Sequence, residues 1–267
     1  MADTYPPPEQ ILSALGIEVA WTNEGTLLGR ATVDPALLGR GEEPPGVGAL
    51  VPVVDLVAGA RAARSVEGDW LATADVWLYE RAPMSDRPIE LQTRLLRSGK
   101  RSTVVAVEVE AGGEPVASST IEFSRIRREA ASLDTRTPDP AGQWTRLGSG
   151  PLLEVPLEQA CGFRIVDPST GLVELDRSRF VNNSIGTLQG GAIALLADVS
   201  ASTMAGPGWR TIDLHFRFLD QTGDGPARAT AEIVRVESDS LMINVVIVDT
   251  SSDRLVGWAT CRVTKPL

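Results

Sequence analysis

The sequence predicts an α+β protein made of two tandem copies of one unit, each a buried helix against a largely antiparallel β-sheet of about five or six strands. Three observations predict it. The first is an internal repeat, which is sought before any element is assigned. Residues 48–59 (Gly-Ala-Leu-Val-Pro-Val-Val-Asp-Leu-Val-Ala-Gly) align with 191–202 (Gly-Ala-Ile-Ala-Leu-Leu-Ala-Asp-Val-Ser-Ala-Ser), with four identities in twelve at an offset of 143. Residues 15–19 parallel 161–165, and Gly25 parallels Gly171, at 146. Residues 75–78 parallel 213–216 at 138, while Val116 and Thr120 parallel Val256 and Thr260 at 140. A constant order with small drifts in offset is what duplication followed by loop insertion and deletion leaves. The second observation is one mostly apolar helix per copy, and the third is the set of alternating runs that follows it.

Within each copy the elements come in the same order. A short helical stretch, 9–15 or 157–160, enters a β-like segment and a turn at Gly25 or Gly171. A glycine-containing loop then leads into the apolar helix, about 49–64 or 192–204. That helix is apolar on nearly all sides, so it belongs in an interior. Period-two runs rich in Val, Ile, Thr and aromatics read as strands at 70–80, 88–97 and 102–111, then at 209–219, 226–236 and 241–249. A closing strand, 115–126 or 254–264, ends each unit, with hairpin turns at Gly112-Gly113 and Ser251-Ser252-Asp253. The first domain is therefore set at 9–126 and the second at 157–267. Residues 127–156, rich in Pro and Gly, read as a surface linker, and 1–8, with three consecutive prolines, as a loose tail.

Composition narrows the function. The 267 residues are 43% apolar and 22% charged, which suits a folding globular chain of about two domains. A net charge of −10 argues against a nucleic-acid partner, which would need a basic face against phosphate. No apolar run reaches the roughly 18 residues of a membrane span, and the start lacks the basic and apolar regions of a signal peptide. A cytoplasmic location without membrane attachment is expected. Two cysteines and one histidine make neither a disulfide framework nor a zinc site, so no metal and no cofactor are expected. His215 sits in an alternating run as a sheet wall residue. Any acid–base chemistry then falls to a carboxylate. Cys161 and Cys261 read as small buried hydrophobes, and Trp70, Trp77, Trp209 and Trp258 as packing residues.

The segment that carries chemistry runs from Asn183 to Ser202. Gly190 and Gly191 stand just before the buried helix, where backbone can approach a ligand closely. Amide N–H groups left over at a helix N-terminus can hold a developing oxyanion. Asp198 lies about two turns into that helix, and Ser202 shares its face. A carboxylate on an apolar helix is paired, hydrogen-bonded or functional.

Asn183-x-x-Gly186-x-x-Gln189-Gly190-Gly191 followed by Asp198 resembles the hotdog-fold acyl-CoA thioesterases of the phenylacetate-pathway (PaaI) type. Their pattern is Asn-x-x-Gly-x-x-His-Gly-Gly with an acidic residue on the helix. The strands 211–219 and 255–260 also fit. The resemblance covers roughly 160–265 well and 12–125 as a degenerate copy, which implies a tandem hotdog. It implies hydrolysis of an acyl-CoA at the seam between the units, with coenzyme A present only as part of the substrate. The Gly190 N–H would polarise the carbonyl, Asn183 would orient substrate or water, and a helix carboxylate would be nucleophile or base. The second-copy loop would face Asp55, and the first-copy loop would face Asp198 and Ser202.

This chain departs from that pattern. Gln189 replaces the histidine and cannot carry a proton at neutral pH. In the first copy Arg40 stands for Asn183, Val47 for Gly190 and Gly59 for Ser202. Lys100 and Arg101, at a hairpin where related proteins carry Gly-Arg/Lys-Ser, are candidate contacts for coenzyme A phosphates; a solvated turn is the other reading. The cluster 125–128 reads as a solvated strand end. A non-catalytic acyl-CoA or acyl-carrier binding module and a hotdog hydratase or dehydratase are the alternatives. Further association of the two-domain unit into a homo-oligomer is expected.

Overall fold

The computed structural model describes residues 6–39, 45–66, 69–84, 86–127, 142–183 and 185–265. The first copy runs α1 (Ile11–Ala14), β1 (Ile17–Trp21), β2 (Leu27–Ala31), α2 (Val51–Ala63), β3 (Trp70–Glu80), β4 (Ile89–Ser98), β5 (Ser102–Ala111) and β6 (Glu114–Ile126). After a short β7 (Thr145–Arg146), the second copy repeats the order as α3 (Leu157–Cys161), β8 (Arg164–Asp167), β9 (Leu172–Leu175), α4 (Gly190–Ala205), β10 (Arg210–Phe218), β11 (Ala227–Val236), β12 (Ser240–Asp249) and β13 (Arg254–Thr264).

Among the described residues all thirteen strands join one antiparallel sheet, in the order β7-β1-β2-β4-β5-β6-β3-β10-β13-β12-β11-β9-β8. Apart from β7 the order is the same read outward from the β3–β10 junction in either direction. There Trp77 pairs with His215, Val76 with Phe216 and Leu78 with Leu214. The 138-residue offset makes Trp77 and His215 each other's counterparts, so a pseudo-twofold axis passes between them. The side-chain contacts obey it as well. Trp77 Nε1 donates to Asp213 Oδ1 at 2.8 Å, and His215 Nε2 lies 2.9 Å from Asp75 Oδ2.

Each helix lies against its own half of the sheet, and α2 touches α4. Val53, Val54, Val57 and Ala58 of α2 are fully buried, as are Ala194, Leu195, Leu196 and Ala197 of α4. A helix apolar on all sides needs cover on all sides, and sheet plus partner helix supply it. The two helices begin differently. Pro52 has no N–H for the α-type bond to Gly48, so Val51 N–H takes the Gly48 carbonyl and the turn Val47–Leu50 tightens to 3₁₀. In the second copy α4 is α-helical from Gly190 onward.

Two expectations need correction. Trp77 and Trp258 are 48% and 41% exposed rather than packed. Trp77 alternates with the buried Val76 and Leu78, so it faces the other side of the sheet. The described end of the 127–156 segment runs mostly exposed over the surface, where β7 pairs with the β1 edge, which would otherwise leave its backbone groups unpaired. Leu153 is buried there, and its N–H reaches Ala14 O at 2.9 Å. Pro6 is buried and Pro7 O accepts from Ser13 Oγ at 2.7 Å, so the expected tail is packed from residue 6 onward. Residues 1–5, 128–141, 266 and 267 lie outside the described residues, as do Arg40 and the rest of its loop to 44. The hairpin glycines behave as expected, Gly112 and Gly113 having φ of 61° and 85°. Both cysteines are free and buried.

Candidate active site

Asp55, on the second turn of α2, is 8% exposed. Two hydrogen bonds reach it from different elements. Thr73 Oγ1, on β3, donates to Oδ1 at 2.8 Å, and Gln189 Nε2, from the second copy, donates to Oδ2 at 3.2 Å. Burial pushes the Asp55 carboxyl up from 3.8 to about 6, the two hydrogen bonds opposing that rise. A group with that acidity is ionised near neutral pH and still basic enough to take a proton.

Gln189 is fixed by a second task. It is the N-cap of α4, where its Oε1 accepts from Ala192 N–H at 2.9 Å. With the oxygen committed to an N–H, the amide NH₂ is the end turned to Asp55. Gly190 follows at the first helical position, whose N–H has no acceptor within an α-helix. A Cβ on Gly190 would stand 3.4 Å from the Phe218 ring and 3.7 Å from Thr73 Oγ1. Asp55, Thr73, Gln189 and Gly190 therefore surround one spot, partly open at Gly190. Gly191 explains how the copies come so close. A Cβ there would stand 2.6 Å from Pro52 Cα, so backbone meets backbone where α4 passes α2.

Several contacts hold the loop in front of α4. Leu188 N–H donates to Thr222 Oγ1 at 3.0 Å, Gln189 N–H reaches Val181 O at 2.7 Å, and Arg177 hydrogen-bonds the Gly186 carbonyl. The first copy braces it from outside: Ile11 N–H donates to Phe180 O at 2.8 Å, and Gln10 hydrogen-bonds the Asn182 carbonyl. Asn183 belongs to this scaffold. Its Oδ1 accepts from the N–H groups of Ile185 and Thr187, and its Nδ2 donates to Thr187 Oγ1 at 2.7 Å. Its side chain is turned into its own turn, where it shapes the loop.

The pseudo-equivalent cleft is built differently. The first-copy loop presses on Asp198 itself, since a Cβ on Gly48 would stand 2.2 Å from Asp198 Cβ and one on Gly46 2.9 Å from its carboxylate oxygens. Ser202, one turn on, is buried with its Oγ 3.5 Å from Thr211 Oγ1. Glu80 and Arg210 occupy the positions equivalent to Phe218 and Ala72, and they form a largely buried ion pair with Arg210 Nη2 2.7 Å from Glu80 Oε1. Glycines packed on the carboxylate mark the Asp198 side, whereas an aromatic ring and a partly open glycine stand beside Asp55. Val47 is 3% exposed at the position of Gly190.

The remaining expected residues lie apart. Lys100 and Arg101 are exposed at the β4–β5 hairpin tip, which Arg125 braces by donating to Gly99 O at 2.8 Å while pairing with Asp69. His215 faces away from the helices, since its neighbours Leu214 and Phe216 are the fully buried ones. Among the described residues no three His, Cys, Asp or Glu side chains converge as a metal site, and no helix is long and apolar enough to cross a membrane. Sequence reasoning missed Thr73. Extending the 75–78 and 213–216 alignment two residues upstream pairs Thr73 with Thr211, which would have shown it.

No protein-family model matches the chain, and no curated protein matches it in sequence. Solved structures match it over nearly its whole length. A protein of Alicyclobacillus acidocaldarius described as having the hot dog fold covers 93% of this chain and 96% of its own, at 15% identity and a TM-score of 0.57. The chain folds as a tandem hotdog. The tesB protein of Mycobacterium avium subspecies paratuberculosis aligns with 96% of this hotdog pair and 98% of itself, at 13% identity and a TM-score of 0.63. Acyl-CoA thioesterase II TesB2 of Mycobacterium marinum aligns with 90% and 93%, at 15% identity and a TM-score of 0.58. At these identities the likeness establishes the fold, one helix per hotdog wrapped by its share of a continuous sheet.

Proposed function

We propose that this tandem hotdog is an acyl-CoA thioesterase that hydrolyses its substrate at the Asp55–Gln189–Gly190 cleft. One observation carries the reading. Gln189 caps α4 of the second hotdog while holding the buried carboxylate of the first, so an acceptor and a helix N-terminus share a single cleft. The names of the structural neighbours, a tesB protein and an acyl-CoA thioesterase II, support the substrate class.

In this reading the thioester carbonyl oxygen lies at the Gly190 N–H, which stabilises charge as it develops. Asp55, ionised above about pH 6, takes a proton from water as the oxygen attacks the carbonyl carbon. The tetrahedral intermediate collapses by breaking the C–S bond. The departing thiolate takes the proton from Asp55, giving a free acid and coenzyme A. Gln189 holds the carboxylate and moves no proton. Lys100 and Arg101 remain the proposed contacts for coenzyme A phosphates. We place the protein in the cytoplasm, where acyl-CoA is met, and include self-association of the hotdog pair in the proposal. No cofactor enters the scheme.

The test is a panel of short, long and aromatic acyl-CoAs with a free-thiol readout. Turnover of at least one class, lost in Asp55→Asn, supports the reading. Saturable binding with no thiol release by the parent would favour the non-catalytic binding module instead.

A further inference from the structure

We propose that Gln10 is a positioning residue of the Asp55 cleft, setting from outside the loop that brings Gln189 and Gly190 to the carboxylate. The inference rests on that cleft being the working one of the reading above.

The arm that carries Gln10 is itself held in place. Pro7 and Pro8 limit its backbone freedom, and Ser13 Oγ turns back to the Pro7 carbonyl at 2.7 Å. Behind it runs the segment that follows β7. Gly148 and Gly150 lie so close that a Cβ on the first would collide with Ser13 Oγ, and one on the second with the Pro8 carbonyl. Arg146 Nη2 donates to Gly150 O at 2.7 Å and to Ser13 O at 3.3 Å, and Leu153 N–H donates to Ala14 O at 2.9 Å. From this base Gln10, 1% exposed, reaches the second hotdog.

Three successive carbonyls there are shared between two partners. Ile11 N–H donates to Phe180 O at 2.8 Å, Gln189 N–H to Val181 O at 2.7 Å, and Gln10 Nε2 to Asn182 O. Rigid peptide planes link the three, so a displacement of the outer two is felt at the middle one. An isolated bridge between Asn182 and Leu188 adds a second link to the α4 cap. Gln189 and Gly190 thus stand where residues 180–182 put them, and those residues stand where the arm puts them.

The pseudo-equivalent cleft lacks this brace. The 146-residue offset makes Pro156 the counterpart of Gln10, each being the N-cap residue of its short helix, α3 or α1. Proline carries neither a backbone N–H nor a side-chain donor, so this position donates nothing on the Asp198 side. Gln10 does not serve its own helix either, since it makes no side-chain cap bond to α1. Its Oε1 is buried without a hydrogen-bond partner among the described residues. A residue that only filled space would be apolar there, because a buried unpaired acceptor costs stability. What the amide supplies is its bond to Asn182 O.

The test compares the parent with two Gln10 variants and a control. Gln10→Met keeps the length but donates nothing, Gln10→Asn donates but is one methylene short, and Pro156→Ala alters the counterpart. Amide hydrogen exchange is read at Gln189, whose N–H sits on Val181 O, and at Leu195 in the middle of α4. Values of kcat and KM are measured on an acyl-CoA that the parent hydrolyses. Both Gln10 variants are expected to speed exchange at Gln189 about tenfold or more and to leave Leu195 as it is. They are expected to lower kcat about tenfold or more with KM within about threefold, because the groups that meet the transition state are displaced while the remaining binding surface is not. Pro156→Ala is expected to match the parent in every reading. Unmoved exchange at Gln189, equal acceleration at Gln189 and Leu195, a parent-like kcat, or failure of both Gln10 variants to fold would each overturn the proposal. So would a fall in kcat with Pro156→Ala as large as theirs. Exchange needs no turnover. A parent that releases no thiol refutes the thioesterase reading, and the exchange at Gln189 relative to Leu195 still decides whether Gln10 sets the loop.

Discussion

Gln189 of one hotdog donates to Asp55 of the other at 3.2 Å, and the same amide caps the helix that begins at Gly190. One side chain thus ties the carboxylate to the helix end across the seam between the copies. Gln189→Ala removes both contacts. Loss of the cap is expected to lower stability by about 1 kcal/mol in denaturant melts. The acid limb of kcat/KM should also move up, because one hydrogen bond favouring the ionised carboxylate is gone. A variant whose melt falls but whose pH profile stays put would separate the cap from the site.

The burial of Asp55 makes activity and stability respond oppositely to pH. Hydrolysis should rise with pH through about 6, as Asp55 ionises. The folded carboxyl binds its proton more tightly than the unfolded one. Its contribution to stability is therefore present below the ordinary carboxylate range and lost as pH rises through about 6. Asp55→Asn removes that loss. Its melting temperature relative to the parent should climb between pH 4 and pH 7, by the equivalent of about 1–3 kcal/mol. Thermal melts at several pH values check the slope, and parallel curves would contradict the assigned shift.

The glycines of the two clefts should answer differently to a methyl group. Gly48→Ala places a Cβ 2.2 Å from Asp198 Cβ, and Gly191→Ala places one 2.6 Å from Pro52 Cα. Neither neighbour is a flexible side-chain end, so each variant should lose about 1–3 kcal/mol. At Gly190 the new Cβ meets Phe218 at 3.4 Å, and stability should change little. Hydrolysis by Gly190→Ala should nonetheless fall about tenfold or more, because a methyl then stands where the substrate must approach. Melts and kinetics on the three variants make the comparison.

His215 is a control. It lies on the outer face of the sheet with Asp75, remote from α2 and α4, so His215→Gln should leave thiol release unchanged. A large loss would revive the hydratase or dehydratase alternative, which relies on an Asp/His pair.

The elements that carry a period were legible in the sequence. The eight long strands and both central helices lie within two or three residues of where alternation and apolar faces put them, because each buries a continuous face. What lay outside the periodic signal was lost. The β7 strand is only two residues long, too short to show alternation, and exists because the β1 edge needs a partner. Trp77 was misread because tryptophan on a strand says nothing about which face it takes; the alternation with Val76 and Leu78 decides that. At the site, the Gly190–Gly191 pair and the two aspartates stood out as polar or flexible residues next to apolar helices. Thr73 did not, since its inward aim comes from a bulge that a single sequence does not display. Asn183 fitted a motif, yet its amide is satisfied within its own turn.

The central claim is that the two pseudo-equivalent carboxylates have parted in role, Asp55 working and Asp198 packed under the first-copy loop. Purified parent, Asp55→Asn and Asp198→Asn should be compared on one acyl-CoA that the parent hydrolyses, at pH 7.5, by initial rates of free-thiol release. The account predicts a loss of about 10² or more for Asp55→Asn and a loss below about 10-fold for Asp198→Asn, both variants remaining folded. Parent-like release by folded Asp55→Asn, or an equal collapse in Asp198→Asn, would contradict it.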